Sequence, residues 1–164
     1  MVDQVRDGRA MFRRALFVNA DASDTARLLT RQTLESWGLA RLRDDAETIV
    51  GEFVANVAAV QAPGSLFGMR LVLEWPHVII EVHDHSPREP RWPAPGQELD
   101  LLAESGRGLF MVRALATGYG HRFIVDGVKI VWATLSASVP PAMGTDGKPV
   151  TAVETTPPRV SEYR

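Results

Sequence analysis

At 164 residues, with 45% apolar and 23% charged side chains, the chain is long enough for one domain with a sizeable core and has an ordinary globular composition. A formal net charge of −2 argues against a general nucleic-acid or anionic-membrane surface, and the absence of cysteine excludes disulfides and thiolate zinc sites. No apolar stretch approaches the ~20 residues of a membrane span. Met1 to Arg14 is charged and lacks a signal-peptide apolar region, so a cytoplasmic location is expected.

Met1 to Ala10 is polar and reads as an irregular extension. Phe12 to Val18 alternates, with Phe12, Leu16 and Val18 on one side and Arg13, Ala15 and Phe17 on the other, which predicts an edge strand. Asn19 to Asp24 is turn chemistry in which Asp21 or Ser23 caps a helix over Asp24–Trp37, closed by Gly38. A second helix is predicted over Leu42–Val60. Its stripe of Ala46, Ile49, Val50, Phe53, Val54 and Val57 is the strongest periodic signal in the chain. After Ala62-Pro63-Gly64-Ser65, two alternating runs, Leu66 to Trp75 and Val78 to Val82, predict a hairpin turning at Pro76-His77 and ending at Asp84.

Ser86 to Ser105 is a Pro-rich connection of the length usual for lids or disordered segments, and Leu99, Leu101 and Leu102 favour a lid. Glu104-Ser105-Gly106-Arg107-Gly108-Leu109-Phe110-Met111-Val112 then opens a helix with Leu109, Val112, Leu115 and Ala116 inward, ending near Thr117-Gly118. His121–Val125 and Lys129–Leu135 predict a last hairpin around Asp126-Gly127. From Ser138 prolines, glycines and threonines replace periodic apolar residues, so a disordered tail is expected. Hairpins alternating with helices predict an α+β fold, a mostly antiparallel sheet with helices on one face.

Few residues carry chemistry. Glu52 and Asn56 stand at i and i+4, about 40° apart and beside the apolar stripe. They suit a general base and a Mg²⁺ ligand, or two boundary polar residues. Asp84 ends a very apolar strand, where a carboxylate needs partners. It can accept from an exocyclic amine such as that of adenine, or cap the turn Asp84-His85-Ser86-Pro87. His83 and His85 lack a third metal ligand nearby. Arg88, Arg91 and Trp92 suit contact with a phosphate or a partner, or more simply a solvated lid surface, and Trp132 reads as core or edge packing. Gly106 and Gly108 flank Arg107 at a helix start, whose unpaired N–H groups and dipole favour an anion. By itself such a Gly-x-Gly is more often a turn.

The order of these pieces resembles the GHKL ATPase superfamily, and within it the small bacterial anti-sigma-factor serine/threonine-protein kinases of actinobacterial type. The resemblance rests on Glu-Phe-Val-Ala-Asn at 52–56, Val-His-Asp-His-Ser-Pro-Arg-Glu-Pro at 82–90 and Glu-Ser-Gly-Arg-Gly-Leu-Phe-Met-Val at 104–112. It implies an N-terminal extension over 1–11, a histidine-kinase-like ATP-binding domain over 12–136 and a Pro-rich tail over 137–164. The implied fold is a two-layer α/β sandwich of Bergerat type, holding Mg-ATP between the helical layer and the lid. By resemblance Glu52 is the catalytic general base toward a serine or threonine hydroxyl, Asn56 the Mg²⁺ ligand and Asp84 the adenine-reading carboxylate. Gly106, Arg107, Gly108 and Leu109 match the lid and phosphate-contacting turn. The implied partners are a sigma factor and a STAS-type anti-anti-sigma protein, with a homodimer possible in the family and no direct nucleic-acid or membrane contact. The alternative is a non-catalytic interaction module on the same fold. Three positions depart from the pattern. Val60 replaces a common histidine and His85 a small residue. Ile130 stands where a threonine supports the adenine amine, a substitution expected to cost about 1 kcal/mol or more of ATP binding.

Overall fold

The chain folds by burying one face of an alternating sheet under two long amphipathic helices. The computed structural model describes residues 6–98 and 107–138. In chain order these form β1 (Arg9–Phe17), α1 (Ala22–Ser36), α2 (Arg43–Val60), β2 (Leu66–Glu74), β3 (His77–Asp84), α3 (Arg107–Leu115), β4 (Gly118–Phe123) and β5 (Lys129–Ser136). The strands make one antiparallel sheet in the order β1-β2-β3-β5-β4. The result is an α+β, two-layer α/β sandwich.

The period-two pattern explains the sheet. Phe67, Met69, Leu71 and Leu73 of β2, Val78, Ile80 and Val82 of β3, and Val131, Ala133 and Leu135 of β5 all point into the core. The α2 stripe meets them, and all six of its residues are buried. Burying each of the larger side chains, the Val, Leu, Ile, Phe and Met, contributes about 1.5–3 kcal/mol, so α2 and the central strands are mutually dependent. Helix α1 lies against α2 and is pinned to it by a bidentate ion pair from Arg31 to Glu47, at 2.7 and 2.8 Å. The hydrogen bond from Arg31 holds the Glu47 carboxyl below its ordinary range. Gly38 ends α1 at φ +73°, with the Leu39 N–H on the Leu34 carbonyl and the Gly38 N–H on that of Glu35. This is the glycine stop that the sequence predicts.

Several expectations need correction. The first strand starts at Arg9 rather than Phe12, and Arg6 pairs with Arg9 in the turn before it. Residues 9–11 therefore belong to the sheet, with Ala10 buried. Neither Asp21 nor Ser23 caps α1 through its side chain. Asp21 sits at φ −95°, ψ 0°, outside the extended conformation that aims a capping side chain at the helix N–H groups, and Asn19 Oδ1 instead accepts the Asp21 N–H. Strand β4 begins at Gly118, three residues before His121, where Gly118 and Gly120 pair with Thr134 and Trp132 of β5 but have no side chains to show an alternation. Ala137 is fully buried, so the fold extends past Ser136. The expected tail beyond Ser138 and the last seven residues of the expected lid, including Leu99, Leu101 and Leu102, lie outside the described residues.

On the opposite side of the sheet from the helices, Glu81 is buried at the centre of two arginines and a histidine. Arg70 reaches it at 2.7 Å, His83 at 2.9 Å and Arg122 at 3.3 Å. Burial alone would raise its carboxyl, but the hydrogen bonds from His83 and Arg70 outweigh that and lower it to about 2. A carboxyl depressed in the folded state contributes stability that is complete above its unfolded value and is lost as pH falls toward its folded one. We expect about 3 kcal/mol of stability to disappear between pH ~4.5 and ~2 on this account. Glu81→Gln should flatten that part of the urea-midpoint curve, and an unchanged slope in the variant would refute the assignment.

Candidate functional site

Helix α2 carries Glu52 on the edge of its buried stripe. Phe53 and Val54 beside it are buried, which fixes the helix rotation and leaves Glu52 half-buried at the boundary. Its carboxylate lies against the first turn of α3. A Cβ built at Gly108 would sit 2.0 Å from Glu52 Oε2 and 2.9 Å from its Cδ. The missing side chain at 108 is thus what lets the carboxylate approach. A helix N-terminus favours negative charge there. Asn56, one turn further along, is exposed, with its carboxamide open to solvent.

Asp84 ends β3 on the core side of the sheet, and its side chain is only 2% exposed. Its Oδ1 accepts the Ser86 N–H at 2.7 Å, the Asx turn that the sequence offered as one alternative. The same oxygen faces Lys129 Nζ at 3.2 Å. Lys129, directly opposite on β5, is itself 6% exposed, and it also donates a hydrogen bond to the Arg88 carbonyl at 2.8 Å. The buried carboxylate is therefore charge-paired and ties the loop after β3 to β5.

That loop is anchored at further points. Gln61, at the end of α2, accepts the His85 N–H at 2.9 Å and donates to Ser65 Oγ and the Leu66 carbonyl. Trp92 is not solvated lid surface. It stacks on Tyr119 at 4.7 Å, presents an edge to Phe53 of α2 and donates Nε1–H to His121 Nδ1 at 3.2 Å. An indole this large gains more by covering the core than by hydration. Arg113 of α3 donates to the Ala94 and Gln97 carbonyls. An open cleft of about 430 Å³ lies beside these contacts, between Val60 and Gln61 on one wall and His85, Ser86 and Pro87 on the other.

The fold thus brings Glu52 to Gly108 and sets Asn56 on the same helix. Asp84 stands at the end of the neighbouring strand. Arg107 is exposed at the start of α3, and Leu109 turns its side chain into the core, leaving only its backbone to face a ligand. Gly106 lies outside the described residues. His83 and His85 do not share a site: His83 joins Glu81 on the opposite sheet face, and His85 is exposed past the strand end. Among the described residues no group of three or more His, Asp or Glu side chains suited to a metal ion occurs. Sequence reasoning missed Lys129, Gln61 and the docking role of Trp92.

The departure at Ile130 has a different meaning in three dimensions. Ile130 pairs with His83, one step out of phase with Asp84 and Lys129, and stands outside the main core cluster. Its side chain therefore points to the opposite face from Asp84, and the expected cost of losing a threonine beside Asp84 is withdrawn. If the chain binds a nucleotide as the resemblance implies, Ile130→Thr should leave the affinity unchanged in a calorimetric titration. A gain in affinity would mean that position 130 does reach the base. Val60 and His85, the other two departures, both line the 430 Å³ cleft. Comparison of the chain with protein-family models and with curated proteins finds no match. Among the described residues no helix is long and apolar enough to cross a membrane.

Proposed function

We propose that the chain is an ATP-dependent serine/threonine protein kinase of the GHKL type and an anti-sigma factor acting by partner switching. Its phosphoacceptor would be a STAS-type anti-anti-sigma protein. The observation that carries this reading is the placement of Glu52 against Gly108, which joins two of the three sequence motifs at a helix N-terminus. The residues suit the group they would hold. Asn56 offers an exposed carboxamide to Mg²⁺, the first turn of α3 offers backbone N–H groups to phosphate, and Asp84 offers its carboxylate to an exocyclic amine in competition with Lys129. ATP supplies the transferable phosphoryl group, and Mg²⁺ neutralises its charge.

The chain's own residues then divide the work. Glu52 accepts the proton of the incoming serine or threonine hydroxyl. Its position at the boundary of the core keeps the carboxylate oriented while leaving it accessible. Lys129 and Ser86 fix the Asp84 carboxylate, and the loop from His85 to Gln97 closes against α2, β4 and α3. The direct test is incubation with Mg²⁺, labelled ATP and a STAS protein. Transfer of label to the STAS serine or threonine supports the reading, and absence of both ATP binding and transfer contradicts it.

One observation favours the second reading, a non-catalytic module that sequesters a sigma factor or its antagonist with weak or no turnover. Asp84 is already engaged by Lys129, so a base amine has to compete with a buried cation. Under that reading the protein binds its partner equally well with and without nucleotide.

A further inference from the structure

We infer that the open face of the sheet, opposite the helices, is a docking surface for an acidic protein segment. The inference is independent of the nucleotide reading and rests on charge and exposure. Side chains alternate along each strand, so the face opposite the core carries Arg9 and Arg13 from β1, Arg70 from β2 and Arg122 from β4. Among the described residues only Glu74 and Glu81 on this face oppose them in sign, and both are already engaged by its arginines. The face is therefore cationic on a chain whose formal net charge is −2.

Arg13 stands directly across from Arg70. Like charges directly opposite on neighbouring strands destabilise a sheet. Arg70 is drawn to Glu81, but among the described residues Arg13 is exposed and has no carboxylate within ion-pair distance. A partner's carboxylate would satisfy it. Apolar grip lies alongside. Val72, Ile79 and Trp132 are half-buried on this face, and the Trp132 indole spreads over the bare positions of Gly118 and Gly120, where an added Cβ would meet it at 3.6 and 3.0 Å. Arginine and tryptophan are the residue types that dominate binding energy in interfaces. A second copy of the chain is a poor occupant, because a two-fold contact would set this cationic face against itself.

The test uses the full chain and a fluorescein-labelled peptide of alternating glutamate and leucine, with a lysine–leucine peptide as control. Anisotropy should report binding of the acidic peptide alone, and Arg13→Glu combined with Arg122→Gln should weaken it about tenfold. Arg13→Glu alone should not lower the unfolding temperature, because it replaces the like-charge pair with Arg70 by an opposite-charge one, and it should still weaken the peptide. No binding of the acidic peptide, or equal binding by wild type and variants, overturns the proposal. Sedimentation showing a dimer that Arg13→Glu dissociates also overturns it, because a second copy is then the occupant.

Discussion

Lys129→Met should lower the stability of the fold by about 3–5 kcal/mol, against the 5–15 kcal/mol typical of a whole domain. The reason is the partner left behind. Asp84 is 2% exposed, and without Nζ at 3.2 Å its charge is buried and uncompensated. The Arg88 carbonyl also loses the Lys129 hydrogen bond, so the loop after β3 loosens at the same time. A neutral amide at position 84 buries no charge and still offers an oxygen to the Ser86 N–H. Asp84→Asn combined with Lys129→Met should therefore recover most of the loss, even though both charges have been removed. Urea unfolding at neutral pH reads both. A Lys129→Met loss below about 1 kcal/mol would put the pair in the range of solvated surface ion pairs and refute the account of Asp84 as buried.

The second large effect concerns chemistry rather than folding. If Glu52 is the general base, Glu52→Ala should reduce phosphoryl transfer by roughly 10²–10⁴-fold while leaving ATP affinity nearly unchanged. A half-buried carboxylate at the edge of the stripe contributes little packing, so the variant should fold. Its removal also opens space against Gly108, where a Cβ would now meet no carboxylate. The split between rate and affinity separates a base from a binding residue. Equal transfer by wild type and variant would remove Glu52 from the chemistry, and a parallel loss of binding would make it a ligand contact.

Much of this architecture is legible in the residue order. The α2 stripe has the helical period, and β2 and β3 have period two, because each packs on one side only. Gly38 is readable because a left-handed stop needs a residue without Cβ. Other features depend on distant partners and carry little local signal. Asp21 stands at the N-cap without a side-chain capping bond, and Asn19 Oδ1 takes its N–H in the turn before the helix, because of backbone angles that neither residue type dictates. Trp92 sits in a Pro-rich polar run, and its neighbours Phe53 and Tyr119 come from remote parts of the chain. Gly118 and Gly120 hide the start of β4 because there is no alternation to read.

Asp84 and Lys129 show where a closer reading would have reached. A carboxylate ending an apolar strand calls for a partner. The chain holds two lysines against sixteen arginines, and one of them opens the apolar strand Lys129–Leu135. A compact, flexible ammonium fits a narrow buried position that a planar guanidinium does not. The alternation of β5 likewise gives Ile130 the opposite face from Lys129. Which of the two stands beside Asp84 depends on strand register, and register is fixed only when β3 and β5 pair.

The central claim is that Mg-ATP binds along α2 at Asn56 and against the first turn of α3. Asn56 is exposed, so its truncation tests binding without disturbing the fold. The most direct measurement is a calorimetric titration of the wild type and Asn56→Ala with ATP, with and without Mg²⁺. The account predicts saturable binding that Mg²⁺ strengthens in the wild type and leaves unaffected in Asn56→Ala. Absence of ATP binding by the folded wild type, or an equal Mg²⁺ effect in both proteins, would contradict it.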